Sequence, residues 1–143
     1  MGNNKDYTIH FISKIRRKAG NFIEKELKDH GIDDLIFSHG SILSVLYQHD
    51  RLMLSEIAEL VGKDKSTITQ HANRLEELNY IKKEKSQEDK RVTCVTLTEK
   101  GEAMRKDFTE ISEKLISRAY DGFTEEEQMI FLMLLKKLYS NFS

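Results

Sequence analysis

Two amphipathic segments joined by Gly62-Lys63 constrain this chain more than any other feature. On the N-terminal side, LSEIAELVG sets Ile57, Ala58 and Val61 on one edge of a short helix. Ser55 is its expected N-cap, and Gly62 suits the left-handed position that ends it. On the C-terminal side, DKSTITQHANRLEELN repeats apolar residues at Ile68, Ala72, Leu75 and Leu78, one side of a second helix. Asp64 is placed to cap it, its carboxylate near the unpaired N–H groups. Helix, tight glycine turn and longer helix make a helix-turn-helix, with the small Ala58 allowing a close crossing.

The opposite side of the second helix carries Ser66, Thr69, Gln70, Asn73 and Arg74. A face that needed only solubility would show Glu and Lys. Gln, Asn and Arg pair bidentately with adenine and guanine edges, and Ser and Thr reach bases or phosphate. A plain solvated face is the alternative. Immediately downstream, YIKKEKS and VTCVTLT read as two strands around the charged tip SQEDKR, which converts the motif into a winged helix. At that tip Asp89 is spaced to hold Arg91 outward, toward a narrow minor groove; an ordinary exposed ion pair is the competing reading.

The run from Leu54 to Gly101 resembles the core of the MarR family of winged helix-turn-helix transcriptional regulators. The matching features are the LSEIAELVG entry, the STIT start, the RLEEL-x-YI end and the DKR-x-x-x-x-x-LTEKG wing. The chain departs from the family at Asn79, where glycine is usual, and at Ser86-Gln87, where Asp-Pro is common. Asn is the next-best residue for a left-handed helix end, and the wing keeps its Asp and Arg.

Net charge gives no support for a nucleic-acid partner: 23 Lys and Arg stand against 24 Asp and Glu. The local balance is different, because Lys63, Lys65, Arg74, Lys82, Lys83, Lys85, Lys90 and Arg91 gather on the winged unit. A single cysteine rules out an intrachain disulfide framework, and the lack of a signal peptide or long apolar span predicts a cytoplasmic protein with no membrane partner. Residues 2–6 lack the Ser or Thr that an N-myristoylation signal requires.

Tyr7 to His30 is a predicted helix with Ile9, Ile12, Ile15, Ala19, Phe22, Ile23 and Leu27 on one stripe. Ser38 to Gln48 is a second, capped near Ser38 and expected to pack between the first helix and the helix-turn-helix. Arg51-Leu52-Met53 is expected to pair with the wing. Thr98 caps a helix predicted to run to Tyr120, and Thr124 with Glu127 forms a capping box for the last one. That last helix is apolar nearly all round, from Met129 to Phe142, so it needs more than one packing partner. With both ends of the chain helical and apolar, a two-fold homodimer is expected.

These readings give a mainly α fold with a small β-wing, organised as an N-terminal dimerisation helix (1–35), a winged helix-turn-helix (36–100) and C-terminal dimerisation helices (101–143). The expected partner is double-stranded DNA, met by Lys65, Ser66, Thr67, Thr69, Gln70, Asn73, Arg74, Asp89, Lys90 and Arg91. The resemblance implies a repressor on a pseudopalindromic operator, released by a small organic effector in a crevice between reading head and dimer helices. Phe11, Arg16, His39, Leu43, Tyr47, Met104 and Phe108 are candidate lining, although the same residues describe a core. No catalytic motif, cofactor or metal site is expected: the five histidines are scattered, with no i, i+4 pairing. A metal site assembled from distant segments stays open. Cys94 reads as strand packing without a cationic neighbour. A winged-helix protein-interaction module is the rival reading, but it would not need Gln70, Asn73, Arg74 and Arg91 together.

Overall fold

A computed structural model describes residues 6–143, which form two compact units, one running up to Ile111 and the other Ser112–Ser143. The first holds α1 (Thr8–Asp29), α2 (Phe37–His49), β1 (Arg51–Met53), α3 (Leu54–Val61), α4 (Lys65–Glu77), β2 (Ile81–Lys85), β3 (Thr93–Leu97), α5 (Glu99–Ala103) and the start of α6 (Arg105–Ala119). The rest of α6 and α7 (Glu125–Ser140) make the second.

In the first unit, Ile42, Leu43 and Leu46 of α2, Ile57 of α3, Ile68 and Leu75 of α4, Ile81 of β2 and Val95 of β3 are all fully buried. The apolar spacing read on α4 is thus its core face, with Leu78 packed at the margin. α2 touches α1, α3 and α4, the central position expected of it. The sheet order is β1-β3-β2, antiparallel throughout, with Leu52 opposite Val95 and Ile81 opposite Leu97. β1 therefore closes the wing against the helix-turn-helix, as its sequence suggests.

Local signals behave as side-chain chemistry predicts where they act within one turn. Gly62 has φ 78° and Asn79 φ 68°, both left-handed, ending α3 and the turn after α4. Thr98 accepts from the Gly101 N–H at 3.1 Å. Thr124 and Glu127 complete the reciprocal capping box.

Three expectations need correction. α3 begins at Leu54 rather than after Ser55: Met53 is its N-cap, and the Glu56 carboxylate accepts the Met53 N–H at 2.9 Å. Because Met53 is also paired to Cys94, the strand passes straight into the helix and Ser55 lies in the first turn. α2 likewise begins at Phe37, with Ile36 as N-cap, and His39 Nδ1, three residues on, accepts the Ile36 N–H at 3.3 Å. The helix expected from Thr98 to Tyr120 is broken at Met104 into α5 and α6. There Arg105 donates to the Tyr47 carbonyl at 2.7 Å and to Glu102 at 2.6 Å, tying the start of α6 to the end of α2.

The apolar stripe of α1 divides in two. Leu27 is fully buried and Ile23 packs on the core, whereas Ile9, Ile12 and Ile15 face solvent. In the second unit no residue of α7 is buried, and Met129 to Leu134 are exposed. Tyr120, Phe123 and Phe131 form an edge-on aromatic cluster around the Gly122 turn, with ring centroids 5.3–6.4 Å apart.

Candidate nucleic-acid interface

The start of α4 is fixed by Asp64, which accepts the Thr67 N–H at 2.7 Å and the Thr67 hydroxyl at 3.0 Å. These bonds hold its carboxyl below the usual range, the backbone bond contributing most. They also engage Thr67, and Thr69 bonds back to the Lys65 carbonyl at 2.8 Å. The two threonine hydroxyls named as DNA contacts therefore already donate within the helix, and each has to turn to donate to a base or phosphate. Ser66 and Gln70 are exposed on the same side. Further along, Arg74 is half-exposed and donates to Glu77 at 3.1 Å.

Asn73 has a partner that the sequence does not reveal. Lys83 Nζ, from β2, donates to Asn73 Oδ1, and the Lys83 backbone N–H donates to Glu76 at 3.0 Å. Lys83 thus fixes the amide's orientation, leaving the NH2 group to face outward. The alternation of β2 turns this lysine toward α4 while Lys82 points away to Glu84. Charge counting places both in one undifferentiated basic cluster, and alternation is the signal that separates them.

The end of α4 is held as firmly as its start. Lys100 donates to the Leu78 carbonyl at 2.8 Å, a cation on the negative end of the helix, and lies 4.3 Å from the Tyr80 ring centroid. Tyr80 donates to Asp34 at 2.8 Å, and Thr98 to the Asn79 carbonyl at 2.6 Å.

At the wing tip Arg91 bonds both Asp89 oxygens, at 3.1 and 3.3 Å, and its own N–H reaches Asp89 at 3.0 Å. Those bonds, the side-chain pair foremost, lower the Asp89 carboxyl below its ordinary range. The Arg91 side chain is still 91% exposed, so the carboxylate orients the guanidinium without covering it. Lys65 is exposed at the start of α4, and Lys90 stands next to Arg91 at the tip.

The residues named as effector lining lie in different surroundings. Leu43 and Phe108 are buried, Tyr47 packs on Phe108 with centroids 5.5 Å apart, and Met104 packs on the same core. Phe11 is exposed on α1. His39 is buried edge-on against His71, 5.3 Å between centroids. Burial, then His71 and Arg74, lower its pKa. Arg16 alone of the set lines a cavity of about 430 Å³, together with Phe37, Ser38, Ser41, Val61, Lys63, Thr67, Ile68 and His71. Cys94 is buried as expected, but not without a cationic neighbour: Arg51 of the paired strand β1 interacts with it electrostatically, which raises the guanidinium's pKa.

A helix-turn-helix with a three-stranded wing, a hydrogen-bonding outer face on its second helix and an outward arginine at the tip define a winged-helix protein. The MarR family model matches residues 38–93, from the start of α2 to the start of β3. In that stretch the chain is similar to the MarR family. Over 130 residues it is 28% identical to the HTH-type transcriptional regulator PapX of Escherichia coli, covering 91% of this chain and 79% of that protein. Its fold matches a MarR protein from Peptoclostridium difficile with TM-score 0.86 and 20% identity, covering 99% of this chain and 90% of that one. It also matches a mutant MarR from E. coli complexed with operator DNA, with TM-score 0.79 and 19% identity over 90% and 91% of the two chains. Among the described residues, no helix is long and apolar enough to cross a membrane.

Proposed function

We propose that this chain is a cytoplasmic repressor that binds a pseudopalindromic operator as a homodimer and is released by a small organic effector. The observation that carries the reading is the set of Gln70, Asn73 and Arg74 on the outer face of α4, in the same compact unit as the exposed Arg91 of the wing tip. In this reading Ser66, Gln70, Asn73 and Arg74 meet base edges in the major groove, with Thr67 and Thr69 joining once their hydroxyls turn. Arg91 enters the minor groove, held by Asp89, and Lys65 and Lys90 contact phosphates.

The exposed Ile9, Ile12 and Ile15 of α1, and Met129 to Leu134 of α7, support dimerisation through residues 1–35 and 101–143, on either side of the reading head at 36–100 in the chain. Isolated apolar side chains on a surface are ordinary, whereas a continuous run on a terminal helix is the composition of a subunit interface. Two reading heads related by a dyad require half-sites about 34 Å apart. The effector is assigned to the cavity beside Arg16 and Lys63, whose cations suit an organic anion.

The test is binding of the full chain to a duplex from its own upstream region and to a scrambled duplex, across a salt series. A specific complex of two chains per duplex, with a steep salt slope and weakened in Arg74→Ala and Arg91→Ala, is expected. Failure to bind any DNA at low salt would overturn the reading in favour of a protein-interaction module.

A further inference from the structure

The end of α1 and the first turns of α6 carry a cluster that the DNA-reading face does not use. Among the described residues, His30, Asp107 and Glu110 bring one ring nitrogen and two carboxylate oxygens within 4.8 Å of one another. Asp107 and Glu110 are three apart on α6, so they share a face of that helix. His30 meets them from the C-cap of α1.

The orientation of the imidazole decides what can sit between these groups. His30 Nδ1 lies 2.8 Å from the Glu26 carbonyl oxygen. That oxygen only accepts, so Nδ1 carries the ring proton. Nε2 is left facing Glu110 Oε2 at 3.3 Å, with Asp107 alongside. Lone pairs converging from a nitrogen and two anions repel one another unless a cation offsets them: a second proton on Nε2, a neighbouring basic side chain or a metal ion held among them. A backbone carbonyl holding the outer nitrogen is also how metal-bound imidazoles are oriented. The spacing is suitable: ligands about 2.0–2.2 Å from a tetrahedral ion stand roughly 3.3–3.6 Å apart. The His30–Glu110 separation already has that value, and Asp107 has to close from within 4.8 Å.

We propose that His30, Asp107 and Glu110 bind a divalent first-row transition metal, with water completing its coordination. One imidazole and two carboxylates match zinc, manganese or iron rather than calcium or magnesium, which take all-oxygen sets. The bound ion joins the end of α1 to the start of α6, so occupancy stabilises the folded chain.

The experiment is calorimetric titration of the untagged full chain with Zn2+ in a non-chelating buffer. One equivalent per chain is expected, weakened at least about tenfold in His30→Gln and in Asp107→Asn. Asp107→Asn leaves the His30–Glu110 contact in place, so its effect separates a metal site from a pair bridged by a proton. His49→Gln, an exposed histidine outside the cluster, leaves the titration unchanged. Excess zinc raises the melting temperature of the wild type and not of His30→Gln. Absence of binding, or binding that both cluster variants retain, would overturn the proposal. Neither result depends on how the chain meets DNA.

Discussion

A β-carbon built on Gly101 would stand 2.2 Å from the Tyr80 carbonyl oxygen, so α5 passes the end of the turn after α4 at a distance only glycine allows. The obstacle is backbone and cannot swing aside. The same carbonyl accepts the Thr98 N–H at 3.1 Å, and Tyr47 donates to the Gly101 carbonyl at 2.6 Å. The glycine of the LTEKG run is therefore where recognition helix, wing and α5 meet. Gly101→Ala should destabilise the chain by about 2–4 kcal/mol, since a displaced backbone also loses these bonds. Urea denaturation of the two proteins measures it; a loss below about 0.5 kcal/mol would mean that the junction relaxes freely.

Lys83 should matter for DNA reading although it acts through Asn73. Lys83→Met keeps the length and apolar stem that pack against α4, and removes the ammonium that holds Asn73. Operator affinity should fall by about three- to tenfold while binding to scrambled DNA changes less, because orientation of a base-reading amide is lost. Competition binding on the two duplexes checks this. An equal loss on both would show that Lys83 acts on phosphate instead.

How much of the fold and site is legible in the sequence depends on how far each interaction reaches. Gly62, Asn79, Asp64, Thr98 and Thr124 act within a single turn, and all stand where local chemistry puts them. Ser55 and Ser38 carry the same chemistry but are displaced: one by the pairing of Met53 with Cys94, the other by the start of α2 at Phe37. Contacts such as Lys83–Asn73, Arg51–Cys94 and His30–Glu110 join residues on different elements, and no local pattern encodes them. Leu43, Tyr47 and Phe108 are ambiguous for another reason. An aromatic and aliphatic lining has the composition of a core, and here they are core.

The buried His39 gives stability a pH dependence of known sign. Its folded pKa lies below the ordinary value of 6.5, so the unfolded chain takes up more protons as the solution is acidified. Its contribution is complete above the unfolded pKa and is lost as pH falls below it. His71 and Arg74 deepen this effect, and Asp34 opposes it. His39→Asn keeps an acceptor for the Ile36 N–H but does not titrate. The stability difference between wild type and variant should therefore shift against the wild type between about pH 7.5 and about pH 5, measured by urea midpoints. A constant difference would show that His39 titrates alike in the folded and unfolded chain.

The exposed apolar residues of the terminal helices predict oligomeric state directly. Ile12→Asp together with Ile130→Asp adds charges where α1 and α7 are expected to be covered by a second chain. Sedimentation equilibrium should give a dimer for the wild type and a shift toward monomer for the variant. A variant that remains dimeric would place the interface elsewhere.

Arg74 and Lys65 should fail in different ways. If Arg74 is bidentate to a guanine, Arg74→Ala costs about 1–3 kcal/mol on the operator and relaxes preference at one base pair, with less effect on random DNA. Its present partner Glu77 is exposed, so exchanging that contact for a base leaves no buried charge behind. Lys65 lies in the first turn of α4, next to the Asp64 cap. Lys65→Ala should weaken operator and scrambled duplexes alike and reduce the salt slope by about one. Measured over one salt series, the pair of variants assigns each cation to base or phosphate. A salt-slope change in Arg74→Ala with equal losses on both duplexes would move that arginine from the base edges to the backbone.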